Sequence, residues 1–339
     1  DFSGNDVLDA INNATISVEA RAEGGHLVLE DTSGSTSNSL SVVDLNGGHA
    51  AADLGLVGSI SASVLQGSDV LQIEGNLSLD RINDGNQMRL ATGDDLRITL
   101  TDDTVIDIDL NGAKTIDDVL EKINSAESNG GKLLASLSNG RIVLEDQSGG
   151  GGSAAFAVTE LNEANVIATL GLGTSPSGST LTGRKLAGGI NSVLLRNLNG
   201  GKGIATAGTI SVTDRAGRTA ELDLSSAESL DEVLAAINGA RTVGDEKLSL
   251  KARVNAAGTG IEILDTSGAT ASNLTIADVG GITVAADLKI AVDAAATSVD
   301  SGNLHLRHVN EATSLSTYAP GGKAVPTGAF RITDSNGAV

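Results

Sequence analysis

The sequence contains no cysteine and no tryptophan, and only one tyrosine, three phenylalanines and three prolines in 339 residues. Without cysteine there is no disulfide scaffold, no thiolate zinc site and no thiol nucleophile. That lack is compatible with an extracellular bacterial protein. With so few aromatics, cores must be assembled from Val, Ile, Leu and Ala, which bury less area per side chain. Several small domains are therefore expected in place of one large core. Positive charge is also scarce: 22 Lys and Arg stand against 43 Asp and Glu, a formal net charge of −21. Nucleic acid and anionic membrane surfaces are not expected partners, because phosphates are neutralised by Lys and Arg. No apolar run approaches the ~18 residues of a membrane-spanning helix. The opening "DFSGNDVLDA" lacks the layout of a signal peptide.

Glycine is plentiful, with 43 residues that suit many tight turns. So is repetition. "SGNDVLDAIN" (3–12), "TIDDVLEKIN" (115–124) and "SLDEVLAAIN" (229–238) end at Asn12, Asn124 and Asn238, 112 and 114 residues apart. "LVLEDTSG", "IVLEDQSG" and "IEILDTSG" place Asp31, Asp146 and Asp265 at intervals of 115 and 119. "AADLGL" (51–56), "IATLGL" (167–172) and "AADLKI" (285–290) close each copy. "RINDG" (81–85), "NLNGG" (197–201) and, more weakly, "HVNEA" (308–312) open one. Markers in one order at one period of about 115 residues describe tandem domains, since a solenoid repeat is much shorter.

In the third copy, "GTISVTDRAGRTAELDL" alternates through Ile210 and Val212, turns at "DRAG", and returns through Ala220, Leu222 and Leu224. This is a hairpin pattern. A helix follows, with Ser229 and Glu232 spaced as a capping box and Leu230, Val233, Leu234 and Ile237 on one stripe. The second copy repeats it with Thr115, Asp118, Ile116, Val119, Leu120 and Ile123; the first keeps Ser3, Val7, Leu8 and Ile11. Three turns are too few to be stable alone, so the helix must pack on the hairpins. A second hairpin follows; in copy 2 it turns at Asn139-Gly140, a pair that accepts positive φ. The expected fold class is α+β: a tandem array of small domains, each with two β-hairpins packed with one short helix. The expected boundaries are 1–65 for copy 1, truncated at its N-terminal side, 70–182 for copy 2, 190–297 for copy 3 and 303–339 for the truncated start of a fourth. Residues 173–189 and 295–303 read as polar bridges, and 59–80 as a bridge with strand character. "GAFRITDSNGAV" (328–339) matches "GTISVTDRAGRT", and the array is expected to continue beyond both ends.

At these residues the chain resembles the flagellin hook IN motif, a strand pair followed by "S/T-L-D-D-V-I-x-A-I-N" and a hairpin ending in "D-x-S-G". Residues 219–268, 104–149 and 3–34 carry it. The motif is found in the outer domains of hook-associated protein 2, the filament cap, and in some flagellins. The resemblance implies a structural segment of the extracellular bacterial flagellum, without catalysis or cofactor and without transferable binding residues. It also implies that other flagellar axial subunits are the partners. Flagellar axial proteins polymerise through heptad-patterned terminal helices, and no such heptads occur in this sequence. The chain is then expected to be an outward-facing part, monomeric alone, meeting those subunits through regions outside it, with no membrane insertion. The alternative is a secreted adhesin whose tandem domains bind glycan or calcium.

No metal ligand set is assigned. The nearest candidate is "DIDLNGAKTIDD", where Asp107, Asp109, Asn111 and Asp118 have calcium-loop spacing. The plainer reading puts Asp107 and Asp109 on the wet face of a strand and Asp118 at the helix cap. The repeated "D-x-S-G" reads as an Asx turn rather than an ion site. His305 and His308 read as strand residues on opposite faces, and His26 and His49 are isolated. "GSTLTGRK" (178–185) has phosphate-loop spacing but Arg184 where Lys is needed. "GGKGIATAG" (200–208) reads as a glycine turn. No nucleophile has a positioned base in sequence, so no enzyme is expected.

Overall fold

The computed structural model describes residues 4–306, apart from 24, 36, 69, 71, 72, 87, 89, 190, 191 and 205–207, together with residue 331. The fold is α+β, made of small antiparallel sheets and short helices. Its buried apolar residues fall into three clusters, spanning 20–65, 79–186 and 195–304, and the corresponding segments are units 1, 2 and 3.

Unit 1 contains α1 (Gly4–Asn12), β1 (Val18–Glu23), β2 (His26–Asp31), β3 (Leu40–Val42), α2 (Ala50–Asp53), β4 (Gly58–Ile60) and β5 (Val64–Gln66). Its sheet runs β1-β2-β5, and β3 and β4 form a separate pair. Unit 2 contains β6 (Leu96–Thr99), β7 (Val105–Ile108), α3 (Ile116–Asn124), β8 (Leu133–Ser138), β9 (Arg141–Asp146), β10 (Ala157–Glu160), α4 (Val166–Thr169) and β11 (Thr180–Thr182). Its sheets are β10-β6-β7 and β11-β9-β8. Unit 3 contains α5 (Leu198–Gly201), β12 (Thr209–Thr213), β13 (Thr219–Asp223), α6 (Leu230–Asn238), β14 (Leu250–Val254), β15 (Ile261–Asp265), β16 (Leu274–Asp278), α7 (Val284–Asp287), β17 (Val292–Ala294) and β18 (Ser298–Asp300). Its sheets are β13-β12-β16-β17 and β14-β15-β18.

The helices form where their caps and stripes place them. Thr115 Oγ1 accepts from Asp118 N at 3.2 Å, and Asp118 Oδ2 accepts from Thr115 N at 2.9 Å, closing the box at the start of α3. Ile116, Val119 and Ile123 are fully buried beneath it. In α6, Glu232 Oε2 accepts from Ser229 N at 3.1 Å, but buried Ser229 Oγ makes no hydrogen bond of normal length. The cap of α6 therefore rests on the glutamate. Ser3 lies outside the described residues. Asn139 and Gly140 join β8 to β9 with φ of 49° and 68°, the left-handed pair a two-residue hairpin turn requires.

Two stretches read as polar bridges contribute to the sheets. β11 pairs with β9, and β18 pairs with β15. Strands of three residues with one apolar centre, "TLT" and "SVD", are too short to show an alternation. Leu186 and Leu304, farther on, are fully buried in the cores of units 2 and 3. The histidine pair needs correction too: residues 301–306 form no strand, and His305 has φ of 49°, so it does not sit on an alternating face. His308, "HVNEA" and most of the expected fourth copy lie outside the described residues.

Candidate functional site

The residues that recur at one period are the first place to look for a site. In each unit the asparagine ending the helix reaches the backbone of one alanine on the edge strand beside it. Asn12 takes Ala20 N at 2.6 Å and donates to Ala20 O at 2.9 Å. Asn124 treats Ala135 the same way at 2.7 and 2.8 Å, and Asn238 treats Ala252 at 2.7 and 3.0 Å. A carboxamide sets a C=O acceptor beside an N–H donor, so it completes the strand residue as a neighbouring strand would. The preceding isoleucine is buried in α3 and α6, so one Ile-Asn step both anchors the helix and covers a free sheet edge.

The aspartate of "D-x-S-G" also has a double role. One oxygen makes the Asx turn: Asp31, Asp146 and Asp265 accept from Ser33, Ser148 and Ser267 N at 2.8, 2.9 and 2.9 Å. In units 2 and 3 the other oxygen crosses to the tip of the first hairpin. Asp146 Oδ2 accepts from Thr101 N at 2.8 Å, and Asp265 Oδ2 accepts from Arg215 N at 2.6 Å. Burial pushes the Asp146 carboxyl upward, but hydrogen bonds from Ser148 and Thr101 outweigh it and hold it below its usual value. Buried Asp214, at the tip of the β12–β13 hairpin, is likewise pushed up by burial. Donors from Ser249 and Arg218 bring it below the usual value.

The joint between units 2 and 3 is polar and densely bonded. Asn83 and Asp84 are held left-handed, with φ of 51° and 57°. Asp84 accepts from Gly188 N at 3.0 Å, from Leu194 N at 2.7 Å and from Asn197 Nδ2 at 2.7 Å. Arg196 donates to Asn83 Oδ1 at 3.1 Å and twice to Lys185 O at 3.0 Å. Burial pushes Arg196 down to about 10 against the upward pull of Asp84 and Glu228, so it remains charged at neutral pH. Arg141 pairs with Glu228 at 2.9 Å, and Lys185 pairs with Glu232. Units 1 and 3 also meet. Glu19 pairs with Lys251, and Glu30 with Lys247 at 3.4 Å. Glu19 and Lys251 each precede the alanine held by the helix-end asparagine, so the two units meet through the same position of the repeat.

The sequence-derived metal candidates do not converge. Asp107 is paired with Arg97 at 2.6 Å, Asp109 Oδ1 accepts from Asn111 N at 2.8 Å, and Asn111 Nδ2 donates to Ala91 O at 2.7 Å. Asp118 is the cap carboxylate of α3. Among the described residues, no cluster of three or more His, Asp or Glu side chains has a geometry that could hold a metal ion. In "GSTLTGRK" the backbone donors are already used: Gly183 N reaches Ile142 O and Arg184 N reaches Gly171 O, at 2.8 and 2.7 Å. The Gly171 turn is tight, because a Cβ there would lie 2.7 Å from Arg184 O. His26 bonds Gln66 across the sheet at 2.8 Å, and the His49 side chain makes no cap bond to α2. In "GGKGIATAG", Gly200 belongs to the short turn α5 and residues 205–207 lie outside the described ones.

Compared with known proteins, the chain matches no family model, no curated protein and no solved structure. Among the described residues no helix is long and apolar enough to cross a membrane. Sequence reasoning used the recurrent asparagine only as a marker. Its invariance over three copies was the available signal, but its target lies 8, 11 and 14 residues away, with no fixed spacing.

Proposed function

We propose that the chain is a structural, solvent-exposed repeat segment of an extracellular bacterial flagellar protein, hook-associated or flagellin-like, and that it performs no catalysis. One observation carries this reading: the residues that define the repeat are spent on the units' own architecture. The Ile-Asn step joins helix to sheet edge, and the "D-x-S-G" aspartate makes a turn and, in units 2 and 3, joins the hairpins. A repeat conserved within one chain for scaffold contacts suits an outward-facing spacer. The bonded joint at Asp84 and Arg196 suits a spacer that holds a fixed direction. Attachment to other axial subunits would then use regions outside these residues, and the outer surface would be acidic.

Antibodies raised against the chain and applied to intact cells test this directly. Decoration of the flagellar filament, its tip or its hook junction is the expected result. Labelling of the cell wall, with bare flagella, would reject the assignment and leave the tandem adhesin.

A further inference from the structure

The ion pair Arg141–Glu228, which ties unit 2 to unit 3, has no counterpart between units 1 and 2. His26 leads into β2 where Arg141 leads into β9, and Lys114 precedes the helix cap where Glu228 does, so two acidless positions face that joint. Unit 1 is tied to unit 3. Both sides of that contact are the helix and the second hairpin, which the two units share. Helix α6 lies against β1. Glu19 on β1 pairs with Lys251 on β14, and Glu30 on β2 pairs with Lys247 at 3.4 Å. Lys247 stands on the loop 239–249, which is longer than the corresponding loops 125–132 and 13–17. The position of Glu19 and Lys251 is Leu134 in unit 2, so the opposed charges belong to units 1 and 3 alone.

Among the described residues, charge carries this contact. The neighbouring arginines are engaged within their own units, Arg21 with Glu23 and Glu30 at 2.6 and 2.9 Å and Arg253 with Glu262 at 2.9 Å. The backbones of Ala20 and Ala252 are taken by Asn12 and Asn238, so β1 and β14 do not pair there. Between the units lies a cleft of about 700 Å³, lined by Leu8, Asn13 and Glu23 on one side and Leu234, Asn238 and Arg253 on the other. The buried apolar clusters of the two units have no member in common. The four paired side chains are between 27% and 47% exposed. Ion pairs this wet weaken with salt, as the Debye length falls from about 30 Å at about 0.01 M to about 3 Å at about 1 M. We propose that the two pairs form an electrostatic latch. At low ionic strength they dock unit 1 on unit 3, and salt releases unit 1 while the more buried Asp84–Arg196 joint keeps units 2 and 3 together. The fixed direction of the array then belongs to units 2 and 3, and unit 1 is the part that moves. The latch does not depend on the flagellar assignment.

Screening also acts on the rest of the chain, in the opposite sense. Salt relaxes the self-repulsion of a net charge of −21 and draws an acidic chain together, whereas opening the latch moves unit 1 away. The sign of the change therefore decides. The chain has no native thiol, so the full chain can carry a donor and an acceptor dye at Ser35→Cys in unit 1 and Thr270→Cys in unit 3, both exposed. Energy transfer should be lost as NaCl rises from about 0.01 M to about 1 M. The pair Ser128→Cys and Thr270→Cys, across units 2 and 3, should hold steady. At low salt, Lys251→Glu should lower the Ser35–Thr270 transfer as salt does, and adding Glu19→Lys should restore it. Transfer that rises with salt, or does not change, would overturn the latch. So would a Lys251→Glu chain that keeps its transfer, or a double exchange that fails to restore it. Transfer between singly labelled chains mixed together would place the contact between copies and overturn the latch within one chain.

Discussion

Units 1 and 3 share the helix ending in Ile-Asn, the asparagine clamp and the Asx turn, yet they close their cores to different degrees. In unit 3 the β12–β13 hairpin lies against β16, and Ile210, Val212, Leu274 and Ile276 are buried together. Unit 1 has no such hairpin among its described residues, and Val7, Leu8, Ile11, Leu40 and Val42 stay half-buried around a small core of Ala20, Leu27, Leu29, Leu56 and Leu65. The second half of the repeat therefore makes local structure by itself, and the first hairpin supplies the cover that excludes water. Apolar burial scales with area, so that cover is a large part of a small domain's stability.

The largest expected effect exploits this difference. Ile237→Asp places a charge in a closed core and should cost about 3–5 kcal/mol, seen as a lower urea midpoint for unit 3. Ile11→Asp should cost clearly less, because Ile11 is only half-buried. Equal losses would mean that unit 1 is as closed as unit 3. Next comes the asparagine clamp. Asn238→Ala and Asn12→Ala each leave a buried alanine's N–H and C=O unpaired, at about 1–3 kcal/mol. Here the two units should respond alike, since Ala252 and Ala20 are both buried.

Acid should act on units 2 and 3 through the buried carboxyls of Asp146 and Asp214. The Asp146 and Asp214 carboxyls are held below the usual value of 3.8 in the folded chain. Their contribution is present above pH 3.8 and is lost as pH falls through the folded values. Asp102, held down by Lys132 and Thr104, titrates at about 2. Acid titration followed by circular dichroism should show the loss beginning near pH 4 and running toward pH 2, with a shallower limb in Asp146→Asn. The smallest effect concerns the turn after the last short helix of each unit. That position is Gly55 in unit 1, Gly171 in unit 2 and Lys289 in unit 3, with φ of 66°, 70° and 55°. Lys289→Gly should stabilise unit 3 by up to about 1 kcal/mol by removing a left-handed Cβ, read as a small rise in Tm.

Much of this was legible in the residues. Apolar stripes located α3 and α6, alternation located β12 and β13, and Asn139-Gly140 located its turn, because each depends on neighbours in sequence. What stayed hidden depends on partners far along the chain. The Asp146 clamp to Thr101 spans 45 residues, the Arg141–Glu228 pair 87 and the Lys247–Glu30 pair 217. The third strands β11 and β18 were missed because three residues leave no period to read. Left-handed Lys289 was missed because lysine itself does not favour positive φ and the signal lay only in the glycines at the same position of the other copies, Gly55 and Gly171.

The most direct test of the account is site-resolved hydrogen exchange on the unmodified chain at low concentration. The β6–β10 and β12–β16 amides should exchange slowly, in two separate cooperative groups, while the β3–β4 amides exchange fast. One common protection level across all three units would contradict the claim that units 2 and 3 each close a core of their own while the described residues of unit 1 close theirs less completely.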